Sequence, residues 1–154
     1  MKVVLINNQN KLELDLDSIK ETATYISNKF DKNSRSELNI IFSDKEEIRK
    51  LNKKYRNIDK ETDVLSFSYL YDREKMGLGV GNYTIGEIII CPEVAESNVL
   101  CQNGSWSLNL EIILLMIHGM LHIYNYDHIE EKDRSDMESI QDNLISDVRK
   151  TFNL

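Results

Sequence analysis

Residues 106–124, WSLNLEIILLMIHGMLHIY, form the stretch that decides the fold. Leucine, isoleucine and methionine occur at so many of its positions that a helix here is apolar nearly all the way round. A helix of that kind is normally buried at the centre of a domain. Asn109, Glu111 and two histidines interrupt the run, so it is too short and too polar to span a bilayer. The stretch therefore predicts a central buried helix.

Four segments rich in β-branched and apolar residues predict strands: residues 2–6, 37–42, 63–68 and 84–91. Between the first two segments, Ser18 and Glu21 have the spacing of a capping box, and Ser43 with Glu46 repeats that spacing after the second. We expect one helix to begin at each box. The order strand, helix, strand favours a right-handed crossover and parallel pairing of the first two strands.

The second half of the chain predicts further helices. Pro92 suits the first position of a short helix that ends near Cys101, and the C-terminal segment has the pattern of an amphipathic helix. Residues 71–83 contain three glycines and predict a surface loop, with a lid over a site as the alternative. We expect an α+β fold: a single domain over residues 1–154, in which a small mixed sheet of about four strands packs with about five helices.

Composition and charge exclude several classes of protein. The 154 residues fit one domain, and 41% hydrophobic with 29% charged residues is ordinary for a globular protein. A net charge of −7 disfavours a generic basic nucleic-acid binder. Six cations nevertheless crowd into residues 45–56, where they bind a polyanion locally if they share one face. Two cysteines without a CxxC pair, and an N-terminus without a signal-peptide pattern, favour the cytoplasm.

All three histidines of the protein, His118, His122 and His128, lie within eleven residues. At about 100° per residue, the first two are one turn apart on the same face of the predicted helix. Asn125 favours the left-handed conformation that ends helices. If the helix ends there and the chain turns back, His128 joins the other two at one metal ion.

The ligand set favours a particular ion. Three neutral imidazoles without a thiolate suit Zn²⁺, with other borderline divalent metals as alternatives, and they leave a fourth position open as in catalytic sites. The alternative is three histidines with no shared role, but two imidazoles in so apolar a helix would each need a buried hydrogen-bond partner. Metzincin proteases share the histidine spacing, but Gly119 stands where their general-base glutamate would be, which disfavours peptide hydrolysis.

Residues 118–128, HGMLHIYNYDH, resemble the HGxLHLxGYDH signature of the YbeY family, metal-dependent bacterial endoribonucleases associated with ribosomal-RNA maturation and ribosome quality control. Within this signature Asn125 replaces the family's glycine. Two further segments resemble the same family: residues 52–56 (NKKYR) followed by 62–67 (TDVLSF), and residues 85–88 (IGEI).

The resemblance implies a single-strand-specific endoribonuclease that acts on precursors of ribosomal RNA or on the ribosome, with neither a membrane nor DNA as a partner. It implies one Zn²⁺ per chain, held by His118, His122 and His128. It also implies that Arg56 contacts an RNA phosphate, a role that suits the forked guanidinium.

Other residues are further candidates for the site. Lys53 and Lys54 are expected either to contact phosphate or to be helix-surface charges only, and Ser66 is expected to line the site.

The general base stays open among Asp127, Glu111 and Glu87, the last being aspartate in the family. The first two have a second interpretation, in which the carboxylate orients an imidazole. The attacking oxygen comes either from water or from the RNA 2′-hydroxyl. A metallohydrolase of a peptide or another phosphoester, and a noncatalytic ribosome-assembly factor with a structural metal, are the alternative functions.

Overall fold

The computed structural model describes residues 1–70, 81–101, 104–125 and 131–154. The described residues form four strands and five helices, which we number in chain order: β1 (Lys2–Asn7), α1 (Leu16–Phe30), β2 (Ser36–Phe42), α2 (Lys45–Arg56), β3 (Val64–Ser68), β4 (Tyr83–Ile90), α3 (Pro92–Leu100), α4 (Leu108–Ile123) and α5 (Glu131–Phe152). The predicted α+β fold is confirmed. Most of the predicted 71–83 loop lies outside the described residues.

The sheet is mixed, as predicted, and its strand order is β1-β2-β4-β3. β1 pairs with β2 and β2 pairs with β4 in parallel, whereas β3 pairs with β4 in the antiparallel direction. The predicted parallel pairing of the first two strands is therefore confirmed. β3 forms one edge of this sheet.

The central helix is α4, as its apolar pattern predicts, and eleven of its residues are buried. It packs against α1, α3, α5, β3 and β4. Gly119 allows a close approach to the sheet, because a Cβ at this position would lie 2.9 Å from Cδ1 and Cγ2 of Ile88. Ser68 Oγ donates a hydrogen bond to the carbonyl of Ile123 at 2.9 Å and so joins β3 to the end of the helix. Within the described part of the chain, no helix is both long and apolar enough to cross a membrane.

The two predicted capping boxes are wrong, because an aspartate caps each helix instead. Asp15 caps α1 and accepts a hydrogen bond from the Ser18 N–H at 3.1 Å. Asp44 caps α2 and accepts one from the Glu47 N–H at 2.9 Å. A carboxylate satisfies the first free N–H groups as serine does and adds a charge that the helix dipole favours. The predicted start of α3 at Pro92 is confirmed.

Alternation along the strands gives the sheet two different faces. The larger core lies between one face and helices α1, α4 and α5, with Ile88 fully buried. On the opposite face, Leu65 and Ile89 pack against Ile48 of α2. Because β3 is an edge strand, helices on both faces can bring side chains to its outer side.

Candidate active site

A cleft of about 600 Å³ runs along the β3 edge of the sheet. Three parts of the chain line it: the end of α2, the segment 62–68 that contains β3, and the end of α4. The polar side chains among its lining residues are those of Tyr55, Arg56, Thr62, Asp63, Ser66, Ser68, His118 and His122. The cleft therefore brings together two of the predicted metal ligands, the predicted phosphate contact and the predicted lining serine.

The two histidines of α4 converge at this cleft. Their Nε2 atoms are 3.1 Å apart, and their ring centroids are 4.6 Å apart. Two imidazole nitrogens on one tetrahedral Zn²⁺ would be roughly 3.3 Å apart, since each Zn–N bond is about 2.0–2.1 Å. The observed separation therefore fits two donors to one ion. No group of three His, Cys, Asp or Glu side chains meets at one point in the described ranges, which exclude His128.

Gln141 of α5 sets the orientation of His118. Its Oε1 lies 3.2 Å from His118 Nδ1, and a carbonyl oxygen only accepts, so this contact is a hydrogen bond in the tautomer that carries the proton on Nδ1. In the neutral ring Nε2 then carries the lone pair and faces His122 Nε2, which is the arrangement that a metal ligand requires. Gln141 was not predicted, because it lies 23 residues from His118 and only the fold brings the two together.

Helix α4 ends where the sequence predicts. Asn125 has φ 65°, in the left-handed region, and its N–H donates to the carbonyl of His122 at 3.0 Å. Asparagine tolerates this conformation better than other non-glycine residues, which explains why it stands where the signature has glycine. His128 and Asp127 lie outside the described residues, so their predicted roles stay predictions.

The cations of α2 differ in what surrounds them. Arg49 and Lys53 both contact the carboxylate of Asp59, at 2.9 Å and 3.2 Å, and hydrogen bonds first from Arg49 and then from Lys53 lower the pKa of that carboxylate. Lys54 Nζ lies over the ring of Tyr55, 5.0 Å from its centroid. Arg56 is exposed and lines the cleft. Of the predicted phosphate contacts, the structure therefore places Arg56 in the cleft and Lys53 in a surface ion-pair cluster.

The predicted carboxylates fall in different places. Glu111 is only 4% exposed and accepts a hydrogen bond from Trp106 Nε1 at 2.7 Å. It lines a neighbouring cavity of about 220 Å³, which also contains His118 and Gln141. Glu87 pairs with Phe67 across the strands, on the sheet face that α2 covers, and does not line the histidine cleft. These contacts pair Glu111 with Trp106 beside His118 and separate Glu87 from the histidines.

Asp63 is a carboxylate that sequence analysis did not single out. It lines both the main cleft and the cavity beside His118. Its Oδ2 accepts a hydrogen bond from Asn98 Nδ2 of α3 at 2.9 Å, and its backbone carbonyl accepts one from the Cys91 N–H at 2.9 Å. Both bonds hold the residue in place at the start of β3. The signal for it was its position in the TDVLSF segment, directly before the edge strand.

A family model and individual related sequences point to the same protein family. A family model described as Endoribonuclease YbeY matches residues 4–149. The chain is 33% identical to Endoribonuclease YbeY of Clostridium botulinum (strain Loch Maree), covering 99% of this chain and 98% of that protein. It is 34% identical to Endoribonuclease YbeY of Staphylococcus epidermidis, covering 90% and 89%. A solution structure of a Thermotoga maritima protein is similar with a TM-score of 0.66 and 27% identity, covering 98% of this chain and 91% of that one.

Proposed function

Because the chain belongs to the YbeY family of endoribonucleases, we propose that it cleaves phosphodiester bonds of single-stranded RNA during ribosomal-RNA maturation and ribosome quality control. The observation that carries this proposal is the convergence of His118 and His122, with Nε2 atoms 3.1 Å apart, in a cleft that Arg56 also lines. RNA is the substrate class, and the cytoplasm is the expected compartment. We assign the activity to one domain spanning residues 1–154.

The proposed metal ligands are His118, His122 and His128, and the proposed ion is one Zn²⁺ per chain. The nitrogen-only donor set and the spacing of the first two nitrogens support this assignment. When bound there, the ion supplies Lewis-acid polarisation of a phosphoryl oxygen. Gln141 supports the site by holding the proton of His118 on Nδ1.

Arg56 provides the positive charge that the RNA backbone requires. Its guanidinium extends from the last turn of α2 into the cleft and donates to the non-bridging oxygens of the phosphate. These hydrogen bonds strengthen as negative charge builds up on the phosphate in the transition state. Arg56 therefore both positions the phosphate and lowers the barrier to its cleavage.

Cleavage also requires one proton to leave the attacking oxygen and one to reach the departing oxygen. Asp63 is the carboxylate among the described lining residues of the main cleft, so we assign both transfers to it. A P–O bond forms to the attacking oxygen, the P–O bond to the departing oxygen breaks, and the proton passes from one oxygen to the other through Asp63. The requirement is the same whether the attacking oxygen belongs to water or to the 2′-hydroxyl.

The test uses purified protein with single-stranded and duplex RNA oligonucleotides, each with and without a chelator. We expect cleavage of the single strand alone, with loss of cleavage in the chelator and in His122→Ala. Lys50→Ala serves as the control, because Lys50 is paired with Glu46 at 2.9 Å and does not line the cleft. Cleavage that persists in His122→Ala would identify a contaminating nuclease and overturn the proposal.

The same samples separate the alternatives. A hydrolase of peptides or other phosphoesters would leave RNA intact and cleave those substrates, and a noncatalytic assembly factor would cleave none of them. The chemistry of the new RNA ends, a cyclic phosphate or a simple monoester, then identifies the attacking oxygen.

A further inference from the structure

A second cavity, separate from the one of equal volume beside His118, measures about 220 Å³ and lies on the sheet face that α2 covers. Its lining residues are Leu51, Tyr55, Phe67, Tyr69, Glu87 and Ile89. Three of the six are aromatic and two are aliphatic, so the walls are mainly apolar, and a single carboxylate supplies the charge. This is the composition of a site for a flat ring with polar edges.

The second cavity adjoins the main cleft, because Tyr55 and Phe67 line both. The two rings meet edge to face with centroids 5.0 Å apart. Tyr55 is 57% exposed, which is unusual for so large a side chain beside an apolar cavity. Tyr55 and Arg56 both line the main cleft, so a ring stacked on Tyr55 would lie next to a phosphate held by that guanidinium.

Glu87 supplies the polar group of the second cavity. Tyr69 lines the same cavity beside it. Burial and then the charge of Glu87 raise the pKa of Tyr69 to about 12, so the hydroxyl keeps its proton at neutral pH. A carboxylate accepts hydrogen bonds only, and it therefore selects a ring edge that presents N–H groups.

We propose that this second cavity binds a nucleobase of the single-stranded RNA next to the phosphate at Arg56, with the base stacked on Tyr55 and its N–H edge at Glu87. The inference rests on the proposed function. Single-stranded RNA is commonly recognised by stacking on aromatic side chains together with hydrogen bonds to the base edge. Guanine fits best, because its ring nitrogen and its exocyclic amine offer two adjacent donors to one carboxylate. Glu87, one of the predicted general bases, thereby acquires a role in substrate selection instead.

Binding is measured by fluorescence anisotropy in a chelator, so that no cleavage occurs, with fluorescein-labelled uridine pentamers that carry one central guanosine. We expect Tyr55→Leu to weaken binding roughly tenfold, since the variant loses the aromatic face on which the base stacks. Tyr55→Phe keeps the ring and restores most of the affinity. Leu100→Ala is the control, because Leu100 is exposed and lies on α3 outside both cavities.

A second pair of probes tests Glu87. Inosine lacks the exocyclic amine of guanosine, so the wild type should bind the guanosine pentamer about tenfold more tightly than the inosine pentamer, since hydrogen bonds to charged groups are strong. Glu87→Gln should remove this preference while circular dichroism shows an intact fold. Tyr55→Leu binding as tightly as the wild type, or a guanosine preference that survives in Glu87→Gln, would overturn the inference. Failure of the wild type to cleave any RNA would instead overturn the proposed function.

Discussion

Helices α2 and α4 lie on opposite faces of one sheet and bring opposite kinds of side chain to the same cleft. α4 buries eleven residues and carries two histidines whose nitrogens meet at 3.1 Å. α2 buries only Ile48 and Asn52 and carries exposed cations. A buried helix holds donor atoms at a fixed distance, whereas an exposed one leaves a cation accessible to a polyanion. We therefore expect changes in α4 to affect the fold and the metal together, and a change at the exposed Arg56 of α2 to affect substrate handling alone.

The largest expected effect is that of Arg56→Ala. Removing a group that stabilises transition-state charge lowers turnover by about 100- to 1000-fold. The melting temperature should stay that of the wild type, because Arg56 is exposed. Single-turnover cleavage of a short single-stranded RNA measures the loss, with Lys50→Ala as the matched control on the same helix. Equal losses in the two variants would show that α2 acts through general charge and not through Arg56.

Gln141→Leu should weaken metal binding about 10- to 100-fold, which is the usual cost of removing the hydrogen-bond partner of a ligand histidine. Gln141→Glu keeps an acceptor for His118 Nδ1 and should retain more of the affinity. Competition with a chromophoric chelator gives the dissociation constants. Asn143→Leu, at an exposed position of the same helix, is the control. Wild-type affinity in Gln141→Leu would refute the orienting role.

Gly119→Ala should lower the free energy of unfolding by about 1–3 kcal/mol, as is typical of an overpacked core. The added Cβ would lie 2.9 Å from two atoms of Ile88, which is fully buried. Denaturant titration measures the change. Ile88→Val removes one of the contacting atoms, so the double variant should lose less stability than the sum of the single variants. Strict additivity would mean that α4 does not depend on this close approach.

Asp44→Ala has the smallest expected effect, about 1 kcal/mol of stability from the lost helix cap. Asp44 begins α2 and the cleft lies at the other end of the helix, so the cleavage rate of the folded protein should not change. Ser43→Ala, at the residue that the sequence pattern favoured as the cap, should cost less. A larger loss of stability in Ser43→Ala than in Asp44→Ala would support the predicted capping box instead.

The types and order of the elements were predictable, because hydrophobic periodicity and turn residues are local signals. The C-terminal end of α4 illustrates this, because Asn125 adopts the predicted left-handed conformation. The starts of α1 and α2 were not predictable from the capping box alone, since Asp15 and Asp44 cap the helices from other positions and accept from the N–H groups of Ser18 and Glu47. Residue spacing alone does not show which of two suitable N-cap residues, a few positions apart, begins the helix.

The site was predictable only where its residues are close in sequence. His118 and His122 meet because helical geometry places them one turn apart. Gln141 reaches the same place through tertiary packing, for which the sequence has no local signal, and Asp63 was indicated only by its position directly before β3. Glu87 was predicted to lie near the histidines, but strand alternation places it on the face that α2 covers. Which face of the sheet packs against α4 is known only from the fold, so the sequence did not reveal this separation.

Zinc K-edge X-ray absorption on the zinc-loaded protein tests the central claim most directly. The account predicts one zinc per chain with a first shell of three imidazole nitrogens and one oxygen, all at about 2.0–2.1 Å. His128→Ala should remove one of the three nitrogens. A shell that contains sulfur, or three nitrogens that persist in His128→Ala, would contradict the claim that these three histidines share one ion.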